Sequence, residues 1–459
     1  GRVLGGSSAI NGAIVNRGHP ADFDHWAALG NSGWSWAEVL PYFRRLEDWL
    51  GEPASPARGR GGPLPVSINS LPVPVTQAFF EAAVAAGLPR NPDQNAGDQF
   101  GIGASQGAIR GGWRHSSAHA FLHPARRLGV KIVTRAPATR IEFEGARATG
   151  VRYRAEGSPT ETLVQAKAGV ILAAGAVGSP KLLQLSGIGP AALLGAHGIA
   201  VRHELAGVGE NLADHYTARL VARGRPGMDG INGRVQGWRL GIEILRWLTG
   251  RPSALGISPA HVHVYGKSAP ELPRPDWFLV FSPGSYRQGM VGKLDDFPGL
   301  SCGVCALRPE SRGHVRIRSA DPAADPLIQP NYLAEEADRR VLLAVMRAAR
   351  TLISSPAMRA HVEAETMPGC EVQSDDELLD FARATGSSAF HLAGTCRMGV
   401  GAGAVVGPGL AVHGVDRLFV ADASVMPTLV SANTCAATMM IAEKAADLIL
   451  GRAAPSAPG

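Results

Sequence analysis

At 459 residues the chain is too long for one small core, and two domains are the natural expectation. With 45% hydrophobic and 18% charged residues it is globular rather than disordered. The net charge of +6 is small for this length, and its Lys and Arg are scattered, which argues against a nucleic-acid partner. The cysteines Cys302, Cys305, Cys370, Cys396 and Cys435 form an odd, sparse set, unlike a disulfide framework. Cys302 and Cys305 have metal spacing, but no second pair accompanies them, so they read as core thiols and no metal site is expected. No apolar run reaches the ~20 residues that span a bilayer.

Residues 1–29 read as loop, helix and loop. Gly5, Gly6, Ser7 and Ser8 leave the backbone almost uncovered, then run into an apolar, helix-compatible stretch. Peptide N–H groups there come within reach of a large ligand, and a helix start behind them favours an anionic one such as a diphosphate. A chain rarely begins with its ligand cradle, so an upstream segment is expected. Helices follow around Trp36–Leu50 and Val75–Ala86, and another over His115–Leu128. Lys131–Thr134, Thr139–Phe143 and Thr149–Tyr153 alternate like antiparallel strands. Val170–Ala174 is a continuous apolar run, as in a buried parallel strand. After Gly175 comes a helix over Ser179–Leu185, with Pro180 suited to its first turn. That strand, turn and helix have the shape of a dinucleotide-fold crossover without the GxGxxG fingerprint.

Residues 217–385 differ in texture. Strand candidates Ala260–Tyr265, Trp277–Phe281, Ser301–Leu307 and His314–Arg318 stand beside helices Ala337–Ile353 and Asp375–Arg383, the pattern of an α+β domain. A basic amphipathic helix carries Trp238, Arg239, Arg246, Trp247 and Arg251. A covering helix or a subunit contact is favoured for it over contact with a membrane surface. After Ser387 the parallel texture returns, with strand Leu418–Val420, a turn at Asp422–Ser424 and a helix from Asn433 to Leu450. The first domain is therefore expected to be discontinuous, over 1–29, 100–216 and 386–454. Segments 30–99 and 217–385 form the covering segment and second domain. His115, His119 and His123 share one helix face but have no carboxylates with them, so they are not read as a metal site.

Six separated motifs, in order, resemble the glucose–methanol–choline oxidoreductases over essentially the whole chain. They are Gly5–Asn11, Gly175–Pro190, Gly207–His215, Ser311–Pro322, His391–Gly399 and Val420–Pro427. The resemblance implies an α/β, Rossmann-like FAD-binding domain, lacking its first βαβ unit in this span, with an inserted α+β substrate-binding domain. It implies cofactor contacts at Val3, Gly5, Gly6, Ser7, Ser8, Asn11, Gly12, Ala13 and Ile14. Ala138 matches an adenine contact, Ala174 and Gly175 the crossover turn, and Asp422 and Ala423 ribityl and diphosphate contacts. Capping is the bland alternative for Asp422. Thr434 would present a helix N-terminal N–H to the flavin. Ile10 stands where some relatives carry a histidine bonded to flavin, so non-covalent FAD is expected. Gly407 and Ala411 replace the usual Asp and Arg, which puts local rigidity in doubt.

His391 matches the general base, and imidazole suits removal of a hydroxyl proton near neutral pH. Asn433 matches the second catalytic position, where an amide can steady a developing alkoxide; an N-cap role is compatible with it. The implied reaction is oxidation of a small alcohol to an aldehyde or ketone, with reoxidation by a quinone, another carrier or dioxygen. His261 falls about where choline-using relatives have an acidic residue, which disfavours choline. Alternatives are a hydroxynitrile lyase on the same fold or a truncated, non-catalytic product. The compartment (cytoplasmic or membrane-peripheral) and the oligomeric state stay open.

Overall fold

The computed structural model describes residues 1–52, 55–69, 71–287 and 292–455. Two large hydrophobic cores organise them. The first gathers Phe23, Trp26, Trp34 and Phe43 with Leu172, Leu183, Val420 and Met440. The second gathers Phe79, Leu220, Val264, Phe281, Val304 and Val345.

In the first body the parallel element is small. Val170–Leu172 pairs in parallel with Leu418–Val420. The crossover helix runs Gly175–Leu185, four residues earlier at its start than the sequence suggests, so Pro180 lies inside it. Proline has no N–H to bond the carbonyl of Ala176. The Thr395 hydroxyl takes that carbonyl instead, at 2.6 Å, and ties the 391–399 segment to this helix. The last helix, Thr434–Leu450, packs beside Trp36–Leu46. Backbone bonds Gly407 N to Ala411 O (3.0 Å) and Leu410 N to Gly407 O (2.8 Å) close the turn that lacks the usual Asp and Arg.

The second body is a seven-stranded antiparallel sheet. Val362–Met367, Tyr216–Gly224, Gly299–Ala306, Trp277–Ser282, Val262–Gly266 and Gly101–Ala104 lie side by side, and Ser387–Ser388 joins the end of the second. Helix Glu336–Ile353 covers one face. Period-two alternation sorts the side chains. Val262, Val264, Leu279, Phe281, Cys302 and Val304 face the helices. Tyr265, Phe278 and Cys305 belong to a separate small cluster with Leu307 on the other face.

Several expectations are corrected. Lys131–Thr134 forms no strand; it is mostly exposed and has no pairing segment. The helix within 1–29 is Pro20–Ala28, started by a His19 cap and Pro20, while Gly6–Ala9 is a single 3₁₀ turn. The helix from Trp36 stops at Leu46, and Glu47–Trp49 is a strand. His115–Leu128 divides into a wide turn, Ala118–Leu122, and a short helix, His123–Arg127. His314–Arg316 pairs with Leu327–Gln329 apart from the main sheet. Segment 30–99 splits between the bodies: Val39–Val66 packs in the first core and Leu71–Ala83 in the second. Gly101–Ala104 is an edge strand of the second sheet rather than part of the first body.

Candidate active site

The small-residue segment at the start of the chain meets the start of the last helix. Ser8, Asn11, Ala13 and Ile14 line one side of a shallow cleft, with Cys435 and Ala436 among the residues on the other. Gly5 and Gly6 both adopt positive φ (87° and 55°), which glycine adopts without strain. Ala13 also has positive φ, 58°. It is held there by its N–H on Asn11 Oδ1 (2.9 Å) and its carbonyl on the Ala108 N–H (2.8 Å). The Ser8 hydroxyl bonds the Gly5 carbonyl (2.6 Å) and receives the Ser117 N–H (2.9 Å), which fixes the loop. Asn433, just before that turn, occupies the N-cap position of the last helix, yet its side chain makes no capping bond. The first-turn N–H groups of a 17-residue helix, Thr434 included, are thus left without that partner.

The Asn433 side chain is engaged elsewhere. Its Nδ2 lies 3.0 Å from His391 Nε2, and its Oδ1 accepts from Asn16 Nδ2 at 2.9 Å. His391 Nδ1 lies 2.8 Å from His215 Nδ1, and His215 Nε2 lies 2.9 Å from the Leu307 carbonyl. A carbonyl only accepts, so the network assigns the protons. His215 Nε2 donates to Leu307. Burial lowers the His215 pKa, so the ring is neutral and its Nδ1 is a bare acceptor. His391 Nδ1 then donates to it. Burial, and secondly the neighbouring His215, hold the His391 pKa well below the usual histidine range. Its Nε2 therefore keeps a free lone pair, aimed at Asn433.

Antiparallel apposition brings these residues together. Ala213 and Ala393 exchange both backbone bonds (3.0 and 2.9 Å), and Ala389 N donates to His215 O (2.9 Å). Asp214 completes the support: its carboxylate receives the His391 N–H (2.8 Å) and the hydroxyls of Tyr332 and Ser388 (2.5 Å each). Phe390 is forced to φ 60° just before the base, with its N–H on Ser388 Oγ (2.8 Å). Ser431, two residues before Asn433, is pinned by Asp22, which receives its N–H (2.7 Å) and hydroxyl (2.8 Å).

A second cluster unites Ala174, Gly175, Asp422 and Ala423. Asp422 accepts from Gly175 N (2.9 Å), Ser179 Oγ (2.5 Å) and Ser424 N (2.8 Å), so in this structure its carboxylate caps and staples. Ala423 O receives the Gly394 N–H at 3.2 Å, which links this turn to the His391 segment. Val3 and Ser7 are exposed at the outer rim of the first loop, and Gly12 lies within it. Ala138 opens a three-stranded antiparallel sheet, is exposed, and joins neither cluster. The rings of His115, His119 and His123 touch in sequence (5.8 and 5.3 Å between centroids). Among the described residues no group of three or more His, Cys, Asp or Glu is arranged to hold a metal.

Residues assigned no role from the sequence are His215, Asp214, Asn16 and His263. The first two lie inside a quoted motif, so a signal was present. His263 reads only as a histidine on a strand of the second domain, and Asn16 had no signal. His263 Nδ1 is 3.4 Å from Asn16 Nδ2, and its other ring nitrogen has no partner among the described residues. Burial depresses the His263 pKa to about 3 and that of His261 to about 4, so both are neutral.

A loop cradle and a helix N-terminus thus lie near a neutral histidine bonded to an amide, a set of groups that suits a flavin-dependent oxidoreductase. Residues 1–217 and 309–442 match family models described as GMC oxidoreductase. The chain is 37% identical to an alcohol dehydrogenase [acceptor] of Pseudomonas putida, over 98% of this chain and 82% of that one. It is 39% identical to an oxygen-dependent choline dehydrogenase of Brucella ovis, with the same two coverages. Among solved structures, pyridoxine 4-oxidase from Mesorbium loti superposes with a TM-score of 0.86 at 29% identity, covering 99% of this chain and 85% of that chain. The chain belongs to the GMC oxidoreductase family, and FAD is its cofactor.

Proposed function

We propose that this protein oxidises an uncharged alcohol, with His391 Nε2 as the proton acceptor. The observation that carries the reading is the proton order along Leu307, His215, His391 and Asn433, which leaves that one nitrogen bare. The substrate hydroxyl takes a place within reach of His391 Nε2 and the Asn433 amide. His391 receives the hydroxyl proton as the carbon–hydrogen bond breaks, and Asn433 Nδ2 donates to the oxygen as charge builds on it. When bound, FAD supplies the acceptor for the hydride leaving that carbon. Imidazolium formation at His391 strengthens its bond to His215 rather than leaving a buried charge unsolvated.

The residues present fit the flavin and diphosphate half of FAD. A cleft lies between Ser8, Asn11, Ala13 and Ile14 of the first loop and Cys435 and Ala436 in the first turn of the last helix, and a loop and a helix start are both suited to anionic and electron-rich groups. Asn11 to Ile14 and Thr434 would hold the flavin, Gly5 to Ser8 the diphosphate, and Asp422 and Ala423 the ribityl side. Ile10 has no nucleophilic atom, which favours non-covalent attachment. The adenosine half requires a dinucleotide-fold βαβ unit with GxGxxG, a motif this span lacks.

A quaternary ammonium is poorly served here. Asp22 is committed to Ser431, His19 and Arg274, and Asp214 to His391, Tyr332 and Ser388. The nearby histidines are neutral, and neither of these two carboxylates is free to balance a fixed cation. An uncharged alcohol follows, with a quinone, another carrier or dioxygen as final acceptor.

The test is anaerobic mixing of the FAD-loaded enzyme with primary alcohols, followed by flavin absorbance. Bleaching is expected, and His391→Ala should slow it by about a hundredfold to ten-thousandfold. Cyanide release from a cyanohydrin without bleaching would mean a lyase. An unchanged rate in His391→Ala would remove the base from the mechanism.

A further inference from the structure

The helix Gly237–Leu248 is built inside out. A helix on a water-soluble surface normally turns its apolar stripe inward. Here the only buried residue is Glu243, while Trp238 (74% exposed), Leu245 (62%) and Leu248 (68%) point to solvent with Ile242 and Ile244. At about 100° per residue, Trp238, Ile242, Leu245 and Leu248 share an arc of about 120°. The inward side is polar and well bonded. Glu243 meets Arg246 (2.9 Å) and Arg234 (3.6 Å) and receives the Ala254 N–H (2.7 Å). Trp247 donates from its indole to Gly112 O (2.9 Å) and packs at a 43° tilt against the exposed Trp113, 4.2 Å between ring centroids. The helix is thus anchored by polar bonds and presents an apolar ridge.

The charge around the ridge is one-sided. Residues 231–251 carry Arg234, Arg239, Arg246 and Arg251 against the single acid Glu243, which is buried and paired. Asp229, just before the helix, is bonded to Arg234 (2.5 Å), and Asp296, in the loop beside it, to Arg287 (3.1 Å). Arg239 and Arg251 have no ion pair among the described residues; Arg239 lies over the Trp238 ring at 5.8 Å, and both can meet an external anion. Among the described residues no helix is long and apolar enough to cross a membrane, and this one spans about 18 Å at 1.5 Å per residue.

We propose that Gly237–Leu248 docks this protein on the surface of an anionic bilayer. Trp238, Ile242, Leu245 and Leu248 enter the headgroup–acyl boundary, and Arg239 and Arg251 meet lipid phosphates. The helix lies flat, as expected for a short, strongly amphipathic segment with aromatic and basic residues. From its end the chain runs through Ser253–Ala260 into the strand that carries His263, beside Asn16. Docking would set the substrate domain against the lipid surface, within reach of alcohols and electron carriers dissolved there. The proposal stands apart from the chemistry and does not depend on it.

The test is co-sedimentation of the FAD-loaded, complete polypeptide with phosphatidylcholine vesicles, with and without phosphatidylglycerol. The wild type should sediment with the anionic vesicles, more weakly at high salt, and its tryptophan emission should shift to the blue. Replacing Trp238 and Leu245 together by Ser should lower partitioning by at least about tenfold. Both side chains are exposed, so flavin reduction in solution should be unchanged. A wild type that stays in the supernatant overturns the proposal. So does equal binding by the double variant, or a concentration-dependent dimer that the variant abolishes while vesicles bind neither protein.

Discussion

The direction of one proton decides what His391 does. Its Nδ1–H points at His215, which in turn is fixed by the Leu307 carbonyl at 2.9 Å. A neutral imidazole is an unusual support for a base. A carboxylate there would stabilise the imidazolium and raise the His391 pKa, whereas His215 leaves the base unprotonated at mildly acidic pH. His215→Asp should therefore move the acid limb of the flavin-reduction rate to higher pH. His215→Asn, which keeps an acceptor at the Nδ1 position, should leave that limb close to the wild type. Stopped-flow reduction across pH 5–8, the range in which histidine titrates, distinguishes the two; equal profiles would show that His215 only fills space. His391 is named by its motif, and the structure places it in this network. His215 lay in a motif too, but its meeting with residue 391 depends on the antiparallel apposition of 213–215 with 389–393. Asn16 reaches Asn433 from 417 positions away, and no local pattern announces that contact.

At the level of elements, the site is held by segments whose roles are invisible in local propensity. Pro180 looks like a helix starter, yet it sits mid-helix and frees the carbonyl that Thr395 captures. Tyr216–Gly224, a central strand, interleaves Arg219 and Arg223 with apolar residues, and those charges hid it. The segment presenting Asn16 is clamped on both sides. Asn95 receives the Arg17 N–H (2.8 Å) and donates to Val15 O (2.8 Å). The buried Glu47 takes Arg17 and Arg58 at 2.6 Å each, and the Gly59 N–H at 3.0 Å. Removing one partner from such a group strands the others without water. Glu47→Ala should cost about 3–5 kcal/mol in urea unfolding and weaken the effect of Asn433 on the reaction, because Asn16 loses its frame. A change under about 1 kcal/mol, with unaltered reduction kinetics, would show that the arginines find other partners.

For the whole molecule, two bodies meet over a buried polar seam, and its histidines set the response to acid. The two-body plan was legible because strand texture changes near residues 217 and 387. The path of 30–104 was not, since its short apolar runs fit either core and only packing assigns Val39–Val66 to one and Leu71–Ala83 to the other. His215, His261, His263 and His391, like the less buried His19, His115 and His314, have lowered pKa values, with burial the largest cause in each. His261 is also repelled by Arg234, and neither of its ring nitrogens has a partner among the described residues. In the unfolded chain each titrates near 6.5. Between about pH 6.5 and the folded values, about 4 for His261 and about 3 for His263, the unfolded state binds more protons than the native one. Stability is then fully present above about pH 6.5 and falls as pH drops, by up to about 1.4 kcal/mol per pH unit for each histidine. The stretch from about pH 6.5 to 5 reports the histidines with little carboxylate contribution. His261→Leu removes one of these groups without breaking a side-chain hydrogen bond. Its stability at pH 7.5 should match the wild type within about 1 kcal/mol, and its loss between pH 6.5 and 5 should be shallower by about one proton's worth. Urea unfolding at a series of pH values measures both. A variant with the wild-type slope would mean that His261 already takes up a proton in the folded protein, and that the seam holds a charge there.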